Sequence, residues 1–354
     1  MNVTSLQELV IPLPNVEAQE QARARQDRLI KPAGSLGRLE EISIWLAGVH
    51  GVNPPRVIND PHLVILAGDH GITEAGVSAY PAEVTLQMVH NFVAGGAAAT
   101  VLARTYDVDV SVFDISVNAP AETFSESVTR YKVGSGSGRC DTGDAISIEE
   151  ASTAFFVGRQ IAHNLADKGV DLFLAGSMGI GNTTISSTLI SLITNQINGD
   201  YVGRGTGIDD EQLSHKRVVI KTICERWGSK PLSPLELLAA VGGSDFAAMA
   251  GFLVGAAERG IPVVLDGMMS TASALVADLV HPNARSWWLA SHRSVEPAHA
   301  IALQHLGLVP LIDFNFRLGE GTGALMVLPV IRGAQAILAE MPTFEDAGVS
   351  DKSE

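Results

Sequence analysis

The sequence predicts an α/β protein in which helices flank a mainly parallel β-sheet. Short apolar runs with the composition of buried strands lie at residues 63–71, 108–116, 171–179, 262–270 and 308–315. Segments with helical periodicity alternate with them, at 82–104, 149–169, 209–227 and 244–260. This alternation requires crossover connections, and crossovers join parallel strands. Because ligands of such sheets bind beyond the carboxyl ends of the strands, the glycine-rich segments that follow these runs are expected to meet at one edge.

The two ends of the chain have a different pattern. The first ~60 residues, which include the segment 28–50, are charged and are predicted to be mostly helical, and a further helix is predicted over roughly 322–341. Pro329 within that helix is expected to kink it, because proline cannot donate the backbone hydrogen bond. A chain of 354 residues can form one large or two modest domains. We expect a small helical domain built from residues 1–60 and 325–354, and an α/β catalytic domain over 61–324.

Composition and charge exclude several classes of partner. The formal net charge of −15 argues against nucleic acid and against an anionic membrane surface, both of which attract clustered Lys and Arg. No stretch of about 20 residues is uniformly apolar, and the N-terminus has no signal-peptide pattern, so no membrane span is expected. Cys140 and Cys224 are the only cysteines and form no CxxC motif, which is typical of free thiols in a reducing compartment. A cytoplasmic protein is expected.

The segment "DFNFRLGEGTGA", residues 313–324, places one carboxylate in a frame of glycines. Glu320 lies between Gly319 and Gly321, after an apolar strand and before a helix. Glycines leave the backbone bare, so a flat ligand could approach this carboxylate closely. We therefore expect Glu320 to face a cavity.

Two glycine-rich turns are candidate anion sites. "GSMGIGNTTISS", residues 176–187, follows a strand and opens a helix, as in an anion cradle at a helix N-terminus, although a plain tight turn has the same pattern. It matches neither a P-loop nor a GxGxxG fingerprint. "YVGRGTGIDDEQLSHK", residues 201–216, places Lys216 two turns into the next helix. That lysine could reach an anion or be a solvated surface residue.

Other candidate catalytic or metal-binding motifs are less specific. Asp69 and His70 follow a predicted strand, and His292 and His299 lie in "SHRSVEPAH". Neither HExxH nor a Cys/His grid is present, so structural roles are favoured over a metal site. The chain has no GxSxG nucleophile elbow, which argues against a serine hydrolase. We expect neither a metal nor a cofactor.

Six motifs in order together resemble the nicotinate-nucleotide–dimethylbenzimidazole phosphoribosyltransferase family over about residues 20–340: "RLIKPAGSLGRLE", "AGDHGITEAGVSAYPAEVTLQMV", "GIGNTT", "GRGTGIDDE", "SHRSVEPAH" and "LGEGTGA". The resemblance implies a doubly wound α/β domain with a small helical domain from both termini, and a homodimer. It implies transfer of the phosphoribosyl group of nicotinate mononucleotide to dimethylbenzimidazole, which gives α-ribazole 5′-phosphate for the lower ligand of cobalamin.

The resemblance also assigns residues to roles. Glu320 matches the general base of the family, and Tyr80, Gln87, Met88 and Leu318 match the pocket for the acceptor base. The phosphate and ribose site would be formed by Gly179, Ile180, Gly205, Lys216, Gly267 and Ser294. The reaction needs one base, because the acceptor loses one N–H proton, whereas nicotinate leaves without an acid catalyst. A monophosphate requires no Mg²⁺.

Two positions depart from the family's usual pattern. Ser177 stands where members commonly have a glutamate that faces the same pocket, and Asp245 stands where they have another glutamate. Ser177 is a possible modulator of the site. Three alternatives remain open: a related transferase that uses adenine or a phenolic acceptor, a catalytically silent subunit of a heterodimer, and a non-enzymatic nucleotide-binding module.

Overall fold

The computed structural model describes residues 6, 8–196, 200–228, 230–231 and 233–350. Contacts within the chain divide it into two units. One unit comprises Asp60–Met326 and the N-terminal segment that ends at Ile11, and the other comprises Pro12–Asn59 and the C-terminal segment that begins at Val327. The segment before Pro12, which the sequence assigned to the helical domain, thus groups with the α/β unit. Its Ile11 carbonyl accepts a hydrogen bond from the side chain of Asn283 (3.1 Å).

The larger unit contains a parallel sheet and a separate strand pair. The sheet consists of β1 (Pro61–Gly68), β2 (Asp109–Ser116), β3 (Leu172–Met178), β4 (Val263–Leu265) and β5 (Trp288–Ala290), in the order β2-β1-β3-β4-β5. β6 (His292–Ser294) and β7 (Ile312–Phe316) form a parallel pair. All pairings in the sheet are parallel, and the strand order reverses direction between β1 and β3. This is a doubly wound order, so the predicted fold class is confirmed.

The strand predictions are wrong in two details. The apolar run 262–270 forms a strand only over Val263–Leu265, because a helix begins at Met268. The run 308–315 contributes β7, which pairs with β6 and not with the main sheet, while the sheet's fifth strand, β5, was not predicted. Strand β1 is almost fully buried, as is typical of a parallel strand that helices cover on both faces.

The helices are α1 (Val16–Arg28), α2 (Arg38–His50), α3 (Val84–Val93), α4 (Ala98–Tyr106), α5 (Glu126–Thr129), α6 (Ile148–Ala166), α7 (Asn182–Thr194), α8 (Asp210–Trp227), α9 (Pro234–Leu237), α10 (Ser244–Glu258), α11 (Met268–Val280), α12 (Pro297–Leu306), α13 (Thr322–Glu340) and α14 (Phe344–Ala347). The helix expected over 82–104 is divided into α3 and α4. Gly95 interrupts it with a left-handed backbone (φ 76°). Pro329 lies inside α13, and the kink expected there stays a prediction.

The smaller unit is held together by both ends of the chain. Ala22, Leu29, Ala47 and Leu338 form a buried apolar cluster. The Arg25 guanidinium of α1 donates hydrogen bonds to the last carbonyl groups of α13, which is the favourable end of a helix for a cation.

Two apolar stretches have the length and composition of a membrane span: Val84–Tyr106 (mean hydropathy 1.2) and Thr322–Glu340 (mean hydropathy 1.5). This is weak evidence, because a core helix of a globular protein has the same properties. The first stretch is divided into α3 and α4, and 56% of the second window is buried. The expectation of no membrane span stays a prediction.

Candidate active site

A cavity of about 380 Å³ lies in the larger unit, beyond the carboxyl ends of the strands. Segments that follow β3, β4, β5 and β7 line it, together with part of α3 and the loop before α8. A concave site of this size with a few polar groups in an apolar wall is typical of small-molecule binding. The glycine-rich segments therefore meet at one edge, as the sequence predicts.

Glu320 occupies the turn between β7 and α13 with a left-handed backbone. Its φ angle is 65°, and the flanking Gly319 and Gly321 have φ angles of 87° and 94°. Glycine adopts such angles freely, whereas a non-glycine residue there costs on the order of 1–3 kcal/mol. The glycine frame thus allows a tight turn that places Glu320 in the cavity wall.

Asp266, at the end of β4, fixes this turn. Its Oδ2 accepts the N–H of Gly321 (3.0 Å), and its Oδ1 accepts those of Gly323 (2.8 Å) and Ala324 (3.2 Å). These amides belong to the first turn of α13, where helix N–H groups have no partner within the helix. A buried carboxylate of the central sheet therefore anchors the turn that carries Glu320.

The Glu320 carboxyl group is buried and has a pKa near neutrality. The residue is only 6% exposed, and its Oε2 has no hydrogen-bond partner among the described residues. Burial raises the pKa of Glu320 to about 7; the Ala99 backbone N–H acts to lower it, and the charge of Asp266 adds to the rise. A carboxylate with this pKa can accept a proton and release it at physiological pH.

The turn after β3 leads into α7 and forms another part of the wall. Gly181 precedes the helix with a φ angle of 94°, and Gly179, Asn182 and Thr183 line the cavity. The N-terminus of α7 therefore faces the cavity, which is the expected geometry of an anion cradle. Ile180 also lines the cavity, but its N–H donates to the buried Thr85 hydroxyl (3.0 Å) and is not free to bind an anion.

Lys216 lies behind the wall. It is fully buried, and its Nζ donates to Thr183 Oγ1 (2.8 Å). Burial lowers the pKa of Lys216 to about 8, against the effect of Glu296, which raises it. The alternative of a solvated surface lysine is wrong. The cation instead supports Thr183, which lines the cavity beside Gly205.

Three of the four residues predicted to bind the acceptor base line the cavity, and the fourth does not. Tyr80, Met88 and Leu318 line the cavity, as does Ser177 on β3. Tyr80 is 53% and Leu318 60% exposed, which places them at the mouth. Gln87 is exposed and is not part of the wall, because the residue before Met88 on α3 points about 100° away around the helix.

Gly267 and Ser294 also line the cavity, and a buried histidine positions Ser294. His299 Nδ1 accepts the Ser294 N–H (3.1 Å), while its Nε2 hydrogen-bonds Thr271 Oγ1 (3.0 Å). Burial lowers the pKa of His299 to about 3, so this ring is neutral. His292 lines the cavity, and its Nδ1 hydrogen-bonds the Ser291 hydroxyl (2.9 Å).

The Asp69–His70 motif lies beneath the wall. Both residues are buried, and His70 Nε2 is 3.2 Å from an Asp245 carboxylate oxygen. Burial acts to lower the pKa of His70, but the charges of Asp245 and Asp69 raise it above its ordinary value. Among the described residues, no group of three or more His, Cys, Asp or Glu side chains is arranged to hold a metal ion.

Besides Asp266, sequence reasoning missed Arg317 and Glu296, which are also charged residues of the described wall. Arg317 Nη1 donates to the Gly205 carbonyl (3.2 Å), and Glu296 Oε1 accepts the Gly205 N–H (2.8 Å). Glu296 lies within the motif "SHRSVEPAH", and Arg317 directly precedes the motif "LGEGTGA". Both motifs contain residues to which the resemblance assigns a role. Their position near a recognised motif was the only available signal, because their partner Gly205 is about 100 residues away in the sequence.

Comparisons with known proteins agree over nearly the whole chain. A family model described as phosphoribosyltransferase matches residues 11–349. The nicotinate-nucleotide–dimethylbenzimidazole phosphoribosyltransferase of Mycobacterium marinum is 48% identical over 340 residues, which are 96% of this chain and 94% of that protein. The enzyme of the same name from Mycobacterium avium is also 48% identical over 340 residues, 96% of this chain and 97% of that protein.

A solved structure has the same fold. The crystal structure of CobT from Thermus thermophilus superimposes with a TM-score of 0.89 at 41% sequence identity, and the match covers 95% of this chain and all of that one. By sequence and by fold, the chain belongs to the nicotinate-nucleotide–dimethylbenzimidazole phosphoribosyltransferase family.

Proposed function

We propose that this protein transfers the 5-phosphoribosyl group of nicotinate mononucleotide to 5,6-dimethylbenzimidazole and releases nicotinate and α-ribazole 5′-phosphate. A nitrogen of the acceptor attacks the anomeric carbon, and the bond from that carbon to the pyridinium nitrogen breaks. Its electron pair returns to the nicotinate ring, which leaves without needing a proton. Attack opposite the leaving group inverts the anomeric centre and yields the α-riboside.

The observation that carries the proposal is the buried Glu320 carboxylate in the cavity wall. Its pKa of about 7 and its unpartnered Oε2 suit a group that takes the single N–H proton of the benzimidazole, from the ring nitrogen that does not attack. The glycines on either side give a flat heterocycle room to approach. Tyr80, Met88 and Leu318 supply an apolar surface at the mouth for that ring, whereas Gln87 lies outside the wall.

Another part of the wall suits the 5′-phosphate. The N-terminus of α7 at Gly179 and Thr183, the Gly205 turn and Ser294 surround it. Lys216 supplies positive charge from behind Thr183, and Arg317 supplies it within the wall. Ile180 forms part of the wall beside this turn, and Gly267 has no side chain and so leaves room for the ribose. Holding two rings and one phosphate in line would supply much of the rate enhancement.

We also propose that the larger unit is the catalytic domain and that the protein works as a cytoplasmic homodimer. The cavity lies within the larger unit. Cys140 and Cys224 are buried free thiols, which suits a reducing compartment. Light scattering of the purified protein tests the dimer: a mass of one chain would refute it.

The activity is tested by incubating the protein with nicotinate mononucleotide and a panel of acceptors, followed by identification of the riboside. The panel includes dimethylbenzimidazole, adenine and a phenol, so that it separates the alternatives that the sequence left open. Dimethylbenzimidazole is expected to give the highest kcat/KM. No riboside from any acceptor would reject the proposed reaction in favour of a binding protein or a silent subunit.

The role of Glu320 is tested with Glu320→Gln, which keeps the shape of the side chain and removes the base. Turnover is expected to fall by ~10²–10⁴ with little change in the affinity for nicotinate mononucleotide. Near-normal turnover would show that another group accepts the proton.

A further inference from the structure

Within the part of the chain that the structure describes, three carboxylates line the cavity: Asp266, Glu296 and Glu320. Both oxygens of Asp266 accept backbone hydrogen bonds from the start of α13. Glu320 and Glu296 each have one oxygen, Oε2 in both cases, without a hydrogen-bond partner among the described residues. The proposed function uses Glu320 as the base and leaves the free oxygen of Glu296 without a role.

Glu296 is held firmly in its place. It is only 5% exposed and precedes α12, and its Oε1 accepts the Gly205 N–H (2.8 Å). Its carboxylate lies so close to the backbone at Gly203 that a β-carbon there would collide with it. Glycine at that position thus makes room for a buried carboxylate, which is costly to bury without a full set of partners.

The surroundings of Glu296 indicate what it binds. It lies in the part of the wall assigned to the phosphate, near enough to the buried Lys216 for their charges to attract. Its own negative charge repels the phosphate. A hydroxyl group has the opposite property, because it donates to a carboxylate oxygen in a strong charge-assisted hydrogen bond. The phosphoribosyl group carries two ribose hydroxyls beside the phosphate, and acidic side chains bind ribose hydroxyls in other nucleotide sites.

We propose that Glu296 accepts a hydrogen bond from the 2′- or 3′-hydroxyl of the transferred ribose through Oε2 and thereby selects ribosyl over deoxyribosyl donors. This inference rests on the proposed function, since it assigns a specificity-determining residue to the same cavity. Oε1 accepts the Gly205 N–H, and Oε2 accepts the hydrogen bond from the ribose hydroxyl. The same side chain would therefore both hold the Gly205 turn, which is assigned to the phosphate, and bind the ribose hydroxyl.

The test compares nicotinate mononucleotide with its 2′-deoxy and 3′-deoxy analogues. The wild type is expected to lose ~10–100-fold in kcat/KM on at least one analogue, the scale of a lost hydrogen bond to a charged group. Glu296→Gln can still accept the Gly205 N–H through its amide oxygen but has no carboxylate oxygen for the sugar. Its preference for nicotinate mononucleotide over the deoxy analogue, measured as the ratio of kcat/KM values, should fall at least fivefold. Glu296→Ala should bring the preference below threefold. Glu225→Gln, at an exposed glutamate of α8, serves as the matched control and should keep the wild-type ratio.

A purely structural role predicts a different result. If Glu296 only supports Gly205, both variants lose activity equally on all three donors, and an unchanged ratio overturns the proposal. Binding of ribose 5-phosphate and 2- and 3-deoxyribose 5-phosphates, measured by calorimetry, separates this inference from the proposed reaction. A preference for ribose 5-phosphate that disappears in Glu296→Ala would support the inference even if no transfer occurred, whereas equal binding of all three sugars by the wild type would refute it.

Discussion

A β-carbon added to Gly176 would lie 2.6 Å from the carbonyl oxygen of Glu320. Strand β3 and the turn before α13 thus approach each other backbone to backbone beside the cavity. Glycine is the residue that permits so close an approach. Together with the hydrogen bonds that Asp266 accepts from the start of α13, this contact determines the position of the Glu320 carboxylate.

Gly176→Ala is expected to displace Glu320 and slow the reaction. The added methyl group would also lie 3.0 Å from Ile65, so the turn has to move. We expect kcat to fall ~10–100-fold, because a shift of about 1 Å at a reacting group has effects of this size. The KM for nicotinate mononucleotide should change less than threefold. Gly333→Ala, where a β-carbon meets nothing within 4 Å, is the control. Wild-type kcat in a folded Gly176→Ala protein would contradict this account.

The pH dependence of kcat/KM for nicotinate mononucleotide should be bell-shaped. Activity rises with pH as Glu320 loses its proton near pH 7, because only the carboxylate can act as a base. It falls as Lys216 loses its charge near pH 8, because the neutral amine binds phosphate less well. Nicotinate riboside has no phosphate, so its profile should keep the acid limb and lack the alkaline one. An alkaline limb of equal size with the riboside would show that Lys216 is not the group that titrates.

Much of the fold and the frame of the site could be predicted because they follow local patterns. Apolar runs that alternate with helical segments indicate parallel strands, and glycines at strand ends locate the turns. The same reasoning found Glu320, whose left-handed backbone and flanking glycines are properties of adjacent residues. The family resemblance supplied the role of this residue and the doubly wound topology.

What the sequence did not show is mostly how residues are placed relative to distant parts of the chain. Periodicity alone did not show that Gln87 points away from the cavity or that Lys216 lies behind Thr183. Glu296 and Arg317 meet Gly205 across 91 and 112 residues of sequence, and no spacing rule reaches that far. Strand β5 is three residues long, too short for a periodic signal.

Lys216→Ala is expected to weaken the binding of nicotinate mononucleotide by ~1.5–3 kcal/mol, the scale of a hydrogen bond to a charged group. The lysine does not line the cavity, so part of this loss would arise from the Thr183 hydroxyl that it holds. Nicotinate riboside should bind the wild type and the variant equally, which calorimetry can measure. Lys221→Ala, at an exposed lysine of the same helix, is the control. If Lys216→Ala distinguishes the nucleotide from the riboside as well as the wild type does, the lysine does not act on the phosphate.

Ser177→Glu is expected to move the acid limb of kcat/KM to higher pH. Ser177 lines the same cavity as Glu320, and it follows Gly176, which contacts the Glu320 backbone. An additional carboxylate at position 177 repels the charge of Glu320 and disfavours its ionised form, so the pKa of the base rises further. The shift should be ~0.5–2 pH units, the scale of two nearby charges partly screened by solvent. The wild type would then stay active at more acidic pH than the variant. Ser177→Gln has nearly the same size without the charge, and its acid limb should stay with the wild type's. If all three proteins have the same acid limb on nicotinate mononucleotide, position 177 is not electrostatically coupled to the base.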